Sequence, residues 1–209
     1  LNHRLFLLGN MAHVPTESPL WETLKNRTEA SKEESVIMYL GDFLDKDGLE
    51  KNITTEEKNK LQKLSELGKS ANDFYFLPGE AEWNNAKKGG LKKLDNLKDY
   101  LKEQSEKLIT GNGCPGPKVV DIGEDLRIIF INSHWFVHPE DDRPDEQSTD
   151  CKFFNELGFW NEVEDNIKSE INKNIIIAAH HPVYSFGQYA GYKLGDKHFM
   201  PPVIGSFLA

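Results

Sequence analysis

Asn10, Asp42, Glu80 and His180 carry a carboxamide, two carboxylates and an imidazole, and each follows closely on a short apolar run. In an open α/β sheet the carboxyl ends of the strands are the edge where ligands sit. Asn and Asp also favour turns, so one such residue says little; four in one chain point to a site. Other constellations are weaker. Ser133 and His134 would need an acid and a Gly-x-Ser-x-Gly elbow to act as a nucleophilic triad, and the chain has no such elbow. His134-Trp135-Phe136 is instead expected to line a pocket mouth or pack against it. The acid run Glu140-Asp141-Asp142, with Asp145 and Glu146, reads as a solvated loop, with weak calcium binding as the alternative. Tyr184, Phe186, Tyr189, Tyr192 and Phe199 form an aromatic stretch that reads either as a partner-binding lid or as packing over the sheet edge. Cys114 and Cys151 have no metal-ligand spacing, which leaves a disulfide or two free thiols. The disulfide is the expected arrangement, and its loop would contribute about 4 kcal/mol in the chain-entropy model.

The elements that must position these residues alternate along the chain. Apolar runs at 4–8, 36–40, 74–77, 127–132 and 175–179 predict buried strands. Ser18-Pro19 predicts a helix start ahead of Trp21 and Leu24. Thr54 and Glu57 have capping-box spacing, followed by Leu61, Leu64 and Leu67, with Gly68 as the expected stop. Leu91, Leu94, Leu97, Leu101 and Leu108 predict one amphipathic helix, and Trp160, Val163, Ile167 and Ile171 another. Alternation of this kind argues an α/β domain.

Composition excludes several classes. The 209 residues are enough for one large domain with a real core. Lys and Arg number 25 against 34 Asp and Glu, a formal charge of -9, which is a poor match to nucleic acid. No apolar stretch of eighteen residues or more is present, so no transmembrane segment is expected. The chain begins at Leu1 without a signal-peptide pattern, and a processed or trimmed chain is expected. Asn26-Arg27-Thr28 and Asn52-Ile53-Thr54 match the glycosylation sequon, a pattern frequent by chance.

The fragments LFLLGN (5–10), YLGDFLD (39–45), FLPGEAEW (76–83), NGCPGPKVVDI (112–122), INSHWFVHP (131–139), AAHHPVYSFGQYAG (178–191) and PPVIGS (201–206) occur in the order found in calcineurin-like metallophosphoesterases. The chain resembles that superfamily over nearly its whole length, in particular the purple acid phosphatase-like branch and its bacterial extracytoplasmic members. The resemblance implies one domain over 1–209, a sandwich of two mixed β-sheets with helices outside, and a metal site at the strand ends. It places Asp42 on the bridging carboxylate and His180 on the histidine of the His-x-Pro motif, with His181 at the x position. His181 and His134 are the residues it suggests for substrate binding.

The departures from the family pattern fall on the site. Gly9-Asn10 stands where the first motif has Gly-Asp. Gly79-Glu80-Ala81-Glu82 stands where the third has Gly-Asn-His followed by an acid, so Ala81 replaces the catalytic histidine. Asp45 occupies the position of a tyrosine ligand, and the closing Gly-His-x-His motif is absent from the 209 residues. Asp42, Glu80 and His180, with Asn10 and Asp45 as further candidates, make a mixed oxygen and nitrogen set suited to Zn, Mn or Fe. The expectation is therefore no metal or one divalent transition metal, rather than a two-metal centre. It is also a degenerate domain acting as a binding or scaffold module, with an active phosphoester hydrolase of rearranged ligands as the alternative. Exported relatives, some attached to larger outer-membrane proteins, make a bacterial extracytoplasmic location and a protein partner part of what the resemblance implies.

Overall fold

The computed structural model describes residues 3–45, 47–139, 142–144, 150–153 and 155–182. Three parallel strands, β1 (Arg4–Leu8), β2 (Ser35–Leu40) and β3 (Asp73–Leu77), form one sheet in the order β1-β2-β3. The second sheet has the order β4-β5-β6, from β4 (Lys118–Ile122), β5 (Leu126–Ile131) and β6 (Asn174–Ala179). There β4 pairs antiparallel with β5, and β5 pairs parallel with β6.

Strand periodicity explains the layers. Side chains alternate across a strand. In β2, Val36 and Met38 therefore face the second sheet, where they meet Ile128, Phe130 and Ala178. Ile37 and Tyr39 face outward, onto Leu61, Leu64 and Leu67 of α2 (Thr55–Lys69) and onto Leu97 and Leu101 of α3 (Gly90–Leu101). Buried on both sides, β2 is apolar at nearly every position, as a central parallel strand must be. The Tyr39 hydroxyl, deep in that layer, donates to the Leu64 carbonyl at 2.7 Å. α1 (Leu20–Glu29) lies on the same side as α2, with Trp21 in the shared core. α4 (Glu156–Lys168) covers the outer face of the second sheet through Phe159 and Val163. Arg127 ties that face together. Its guanidinium meets both oxygens of Asp121 at 2.8 and 2.9 Å and donates to the Asn166 carbonyl.

Several expectations need adjustment. β4 was not among the predicted strands. α1 begins at Leu20, with Pro19 in the N-cap position, one residue later than the Ser18 signal suggests. α2 runs past Gly68 to Lys69, and Gly68 packs against the Phe74 ring. α3 stops at Leu101: Lys102 adopts φ 44°, and Leu108 leaves the helical register to bridge with Phe76. Ile171 lies beyond the end of α4 and is 87% exposed. The capping box of Thr54 and Glu57 is formed. Cys114 and Cys151 are joined in a disulfide, which decides between the two arrangements left open. No helix among the described residues is long and apolar enough to cross a membrane.

Candidate functional site

The strand ends bring the loops after β1, β2, β3 and β6 together. Asn10 N–H donates to the Gly41 carbonyl at 3.1 Å, and Ala12 N–H to the Asp42 carbonyl at 3.1 Å. Gly41 turns at φ 90° and Asp42 at φ 54°. Two glycines make the crossing possible. A Cβ on Gly41 would lie 2.3 Å from His180 Nδ1, and one on Gly79 would lie 2.7 Å from both Asp42 Oδ1 and His180 Cε1. Both contacts are closer than a side chain tolerates.

Glu82 is the keystone of this edge. It is 1% exposed. Its Oε1 accepts from Phe43 N–H at 3.0 Å and Leu44 N–H at 2.9 Å; its Oε2 accepts from Asp42 N–H at 2.9 Å and Gly79 N–H at 2.8 Å. One carboxylate thus closes the turns after β2 and β3 onto each other. Burial, and then the nearby Asp42 charge, push its carboxyl pKa up, while the backbone donors pull the other way.

Asp42 and His180 face each other in front of it. Ala81 N–H donates to Asp42 Oδ1 at 2.9 Å. His180 Nδ1 lies 2.7 Å from the Leu40 carbonyl, which can only accept, so that nitrogen carries the proton. In the neutral ring Nε2 then holds a lone pair, 3.7 Å from Asp42 Oδ2. A bare imidazole nitrogen beside a carboxylate oxygen, oriented through its other nitrogen by a backbone carbonyl, is how metal-binding histidines are held.

The remaining candidates do not close around that corner. Glu80 is half-buried, and its carbonyl accepts from Asn85 N–H at 2.9 Å. Asn10 is exposed, in the left-handed conformation at φ 56°. Asp45 is exposed, and its charge acts on Lys60. Among the described residues no group of three or more His, Cys, Asp or Glu converges to hold a metal ion. The residues present therefore fit a two-ligand corner, Asp42 with His180, rather than a closed site.

Behind the corner runs a series of rings. His181 lies edge-on to His180, with centroids 4.9 Å apart, and stacks on His134 at 5.9 Å. His134 meets His138 at 5.3 Å, and Trp83 packs on both. Burial above all, then the electrostatic influence of the neighbouring His180 ring, pushes the His181 pKa down to about 4, against the pull of Asp42. Burial, followed by His181, His138, His180 and Arg143, takes His134 down to about 2. Both rings are neutral at ordinary pH. His134 and His181 do lie next to the corner, but His134 is 1% exposed and forms its wall rather than its mouth.

Asp142 is not a solvated acid. It accepts from His138 Nε2 and from Gly90 N–H, each at 2.8 Å, at the start of α3. Burial would raise its pKa, but these donors hold it below the usual carboxylate range. The rest of the acid run and the aromatic stretch from Tyr184 lie outside the described residues. Sequence reading missed the structural parts of Glu82, Ser133, His138 and Lys60.

Lys60 fixes the loop that carries Asn10. Its buried ammonium donates to the carbonyls of Met11 at 3.3 Å, Ala12 at 3.0 Å and Val14. Burial lowers its pKa, and Asp45, Glu56 and Glu17 partly restore it. Lys60→Met is expected to cost about 1–3 kcal/mol, the penalty of leaving buried acceptors without a donor. In hydrogen exchange the amides of Ala12 and Val14 should lose protection. Unchanged protection there would show that the loop does not depend on this cation.

The two sheets, the outer helices and the strand-end site define an α/β sandwich of the phosphoesterase type. The calcineurin-like phosphoesterase family model matches residues 13–204, and the chain belongs to that family. The matched span begins after Asn10, so the Gly9-Asn10 step lies ahead of it. Among curated proteins, none matches the chain.

Proposed function

We propose that this domain binds a phosphoryl ligand through a one-metal remnant of the family site and has lost efficient turnover. One observation carries the reading. The side chain at position 81 is a methyl group, and the backbone N–H there is committed to Asp42 Oδ1. Losing a positioned proton donor costs about 10²–10⁴ in rate. Asp42 and His180 would hold a single Zn, Mn or Fe ion, with Asn10, Glu80 and Asp45 as candidates to extend its shell. Such an ion supplies the positive charge against which phosphoryl oxygens bind. The same proposal includes the purple acid phosphatase-like branch and a bacterial extracytoplasmic location, which the disulfide supports because such bonds persist in oxidising compartments. It also includes a protein partner or an attached outer-membrane protein, for which a domain with impaired chemistry would serve as a binding or scaffold module.

The competing reading, an active phosphohydrolase with rearranged ligands, draws on the orientation of His180 toward Asp42. Metal content after dialysis against Mn, Zn and Fe, paired with hydrolysis of a simple phosphate ester, separates the two. About one metal per chain is expected, with the affinity reduced at least about tenfold in Asp42→Ala and negligible turnover by either protein. Efficient hydrolysis that disappears in Asp42→Ala would establish the hydrolase instead. No metal under any of the three conditions would remove the metal-binding corner from the proposal.

A further inference from the structure

We infer that the cavity beside the Cys114–Cys151 disulfide is a separate binding site, built for a small organic anion with an aromatic body. No residue of the strand-end corner lines it.

Three stretches of chain enclose this cavity of about 380 Å³: the last turn of α3, the loop 108–118 and residues 150–153. That volume falls in the range of pockets that take small ligands. Its walls are fixed from behind. Asn132, fully buried just past β5, donates from its backbone N–H to the Pro115 carbonyl at 3.0 Å and from Nδ2 to the Cys114 carbonyl at 3.1 Å. The disulfide joins that loop to residues 150–153. Asn112 Nδ2, donating to Asp150 Oδ1 at 3.3 Å, is a second tie between the same two stretches. Thr110 is held at φ 53°, and its carbonyl accepts from Gly113 N–H at 2.8 Å. Left-handed backbone is costly for a β-branched residue, and residues held in this way gather at functional sites.

The lining divides into an apolar floor and a cationic rim. Leu108, Ile109 and both cysteines are buried, and the Phe153 ring is half-buried beside them. An aromatic body laid on these surfaces would release the water that covers them. Lys98, Lys118 and Lys152 are exposed, against one acid, Asp150, in the lining. The cavity is thus locally positive in a chain of formal charge -9. Lys152 pairs with Glu162 at 2.7 Å and lies 5.1 Å from the centroid of the Phe153 ring. The side chains of Lys98 and Lys118 have no ion pair or hydrogen bond among the described residues. Their flexible stems let each ammonium reach an anionic head group at the mouth while the ring sits below. An uncharged ring would gain nothing from the lysines, and an inorganic anion would leave the floor wet. Together the two surfaces select a carboxylate or sulfonate carried on an aromatic ring.

The test is a titration of the ¹⁵N-labelled full chain with naphthalene-2-carboxylate, followed at the backbone amides. Saturable shifts are expected at Thr110, Asn112, Lys118 and Lys152. The amide 2-naphthamide, which lacks the charge, and acetate, which lacks the ring, should each bind at least about tenfold more weakly. A double variant, Lys98→Gln with Lys118→Gln, should lose about tenfold in affinity for the carboxylate and little for the amide, with its urea midpoint unchanged. Equal affinity for carboxylate and amide would overturn the inference, and so would a double variant that binds the carboxylate as tightly as the wild type. Shifts confined to Asp42, Ala81 and His181 would put the anion at the strand ends instead and overturn it as well. A titration with no saturable shift would remove the site altogether.

Discussion

Glu82→Ala is expected to destabilise the fold by about 3–5 kcal/mol, because each buried N–H left without an acceptor costs roughly 1–3 kcal/mol. The carboxylate takes N–H groups from Asp42, Phe43, Leu44 and Gly79, with every bond between 2.8 and 3.0 Å. Both oxygens accept two bonds each, which uses all their in-plane lone pairs. Alanine leaves those donors facing a void that is closed to bulk water. Glutamine has nearly the same shape, yet its amide puts an NH2 where two N–H groups already point. Glu82→Gln should therefore fail to rescue and should lose at least half as much stability as alanine does. Urea unfolding of the three proteins checks this. A glutamine variant as stable as wild type would show that shape, not charge, closes the turns. The loss would reach the site as well, because Asp42 is placed by the same turn whose N–H groups Glu82 holds.

Glu82 also shows where sequence reading stops. Strand-end positions were legible because strands announce themselves. Asn10, Asp42, Glu80 and His180 follow apolar runs, and the structure puts all four at the carboxyl ends of β1, β2, β3 and β6. What an acid does after that depends on where its neighbours fold. Glu80 and Glu82 are two residues apart in one turn, and nothing in the sequence says that the second is swallowed by four backbone donors while the first stays half-buried. The likeness to the family sets Ala81 at the position where its pattern has a histidine. It could not reveal that Ala81 N–H would be used to hold Asp42.

The fold misreadings have similar causes. β4 has only Val119, Val120 and Ile122 as apolar residues, and it pairs with β5 alone among the described strands, so its pattern is weak and partly exposed. Leu108 continues the leucine spacing of α3, but periodicity cannot see the reversal at Lys102 that sends the chain to β3. Ser133, His138 and Asp142 acquire meaning only through contacts with one another and with His181. His138 and Asp142 are i, i+4 neighbours, yet the bond between them also reaches Gly90, 52 residues away from Asp142, and that link is tertiary.

Acid should unfold this protein through His134, by an amount that a single variant isolates. The group has an ordinary pKa of 6.5, and burial first, with the neighbouring imidazoles and Arg143 next, lowers it to about 2. The unfolded chain therefore takes up a proton near pH 6.5 that the folded chain refuses until far lower pH. More protons on the unfolded state means that stability rises with pH and is lost as pH falls. Each unit of pH below the unfolded value costs about 1.4 kcal/mol for this one group. His181 adds a second loss between pH 6.5 and about 4. Glu82 works in the opposite direction, because its raised pKa lets the folded state bind a proton that the unfolded chain has released. The wild-type curve alone thus mixes opposing contributions. His134→Phe keeps an aromatic ring against Trp83 and His181 and removes the titration. Relative to that variant, the wild type should lose about 3 kcal/mol between pH 6.5 and pH 4, read from urea midpoints at each pH. Parallel curves would mean that His134 is solvated or protonated in the folded state. In that case the ring on which His181 stacks would not be held neutral by burial.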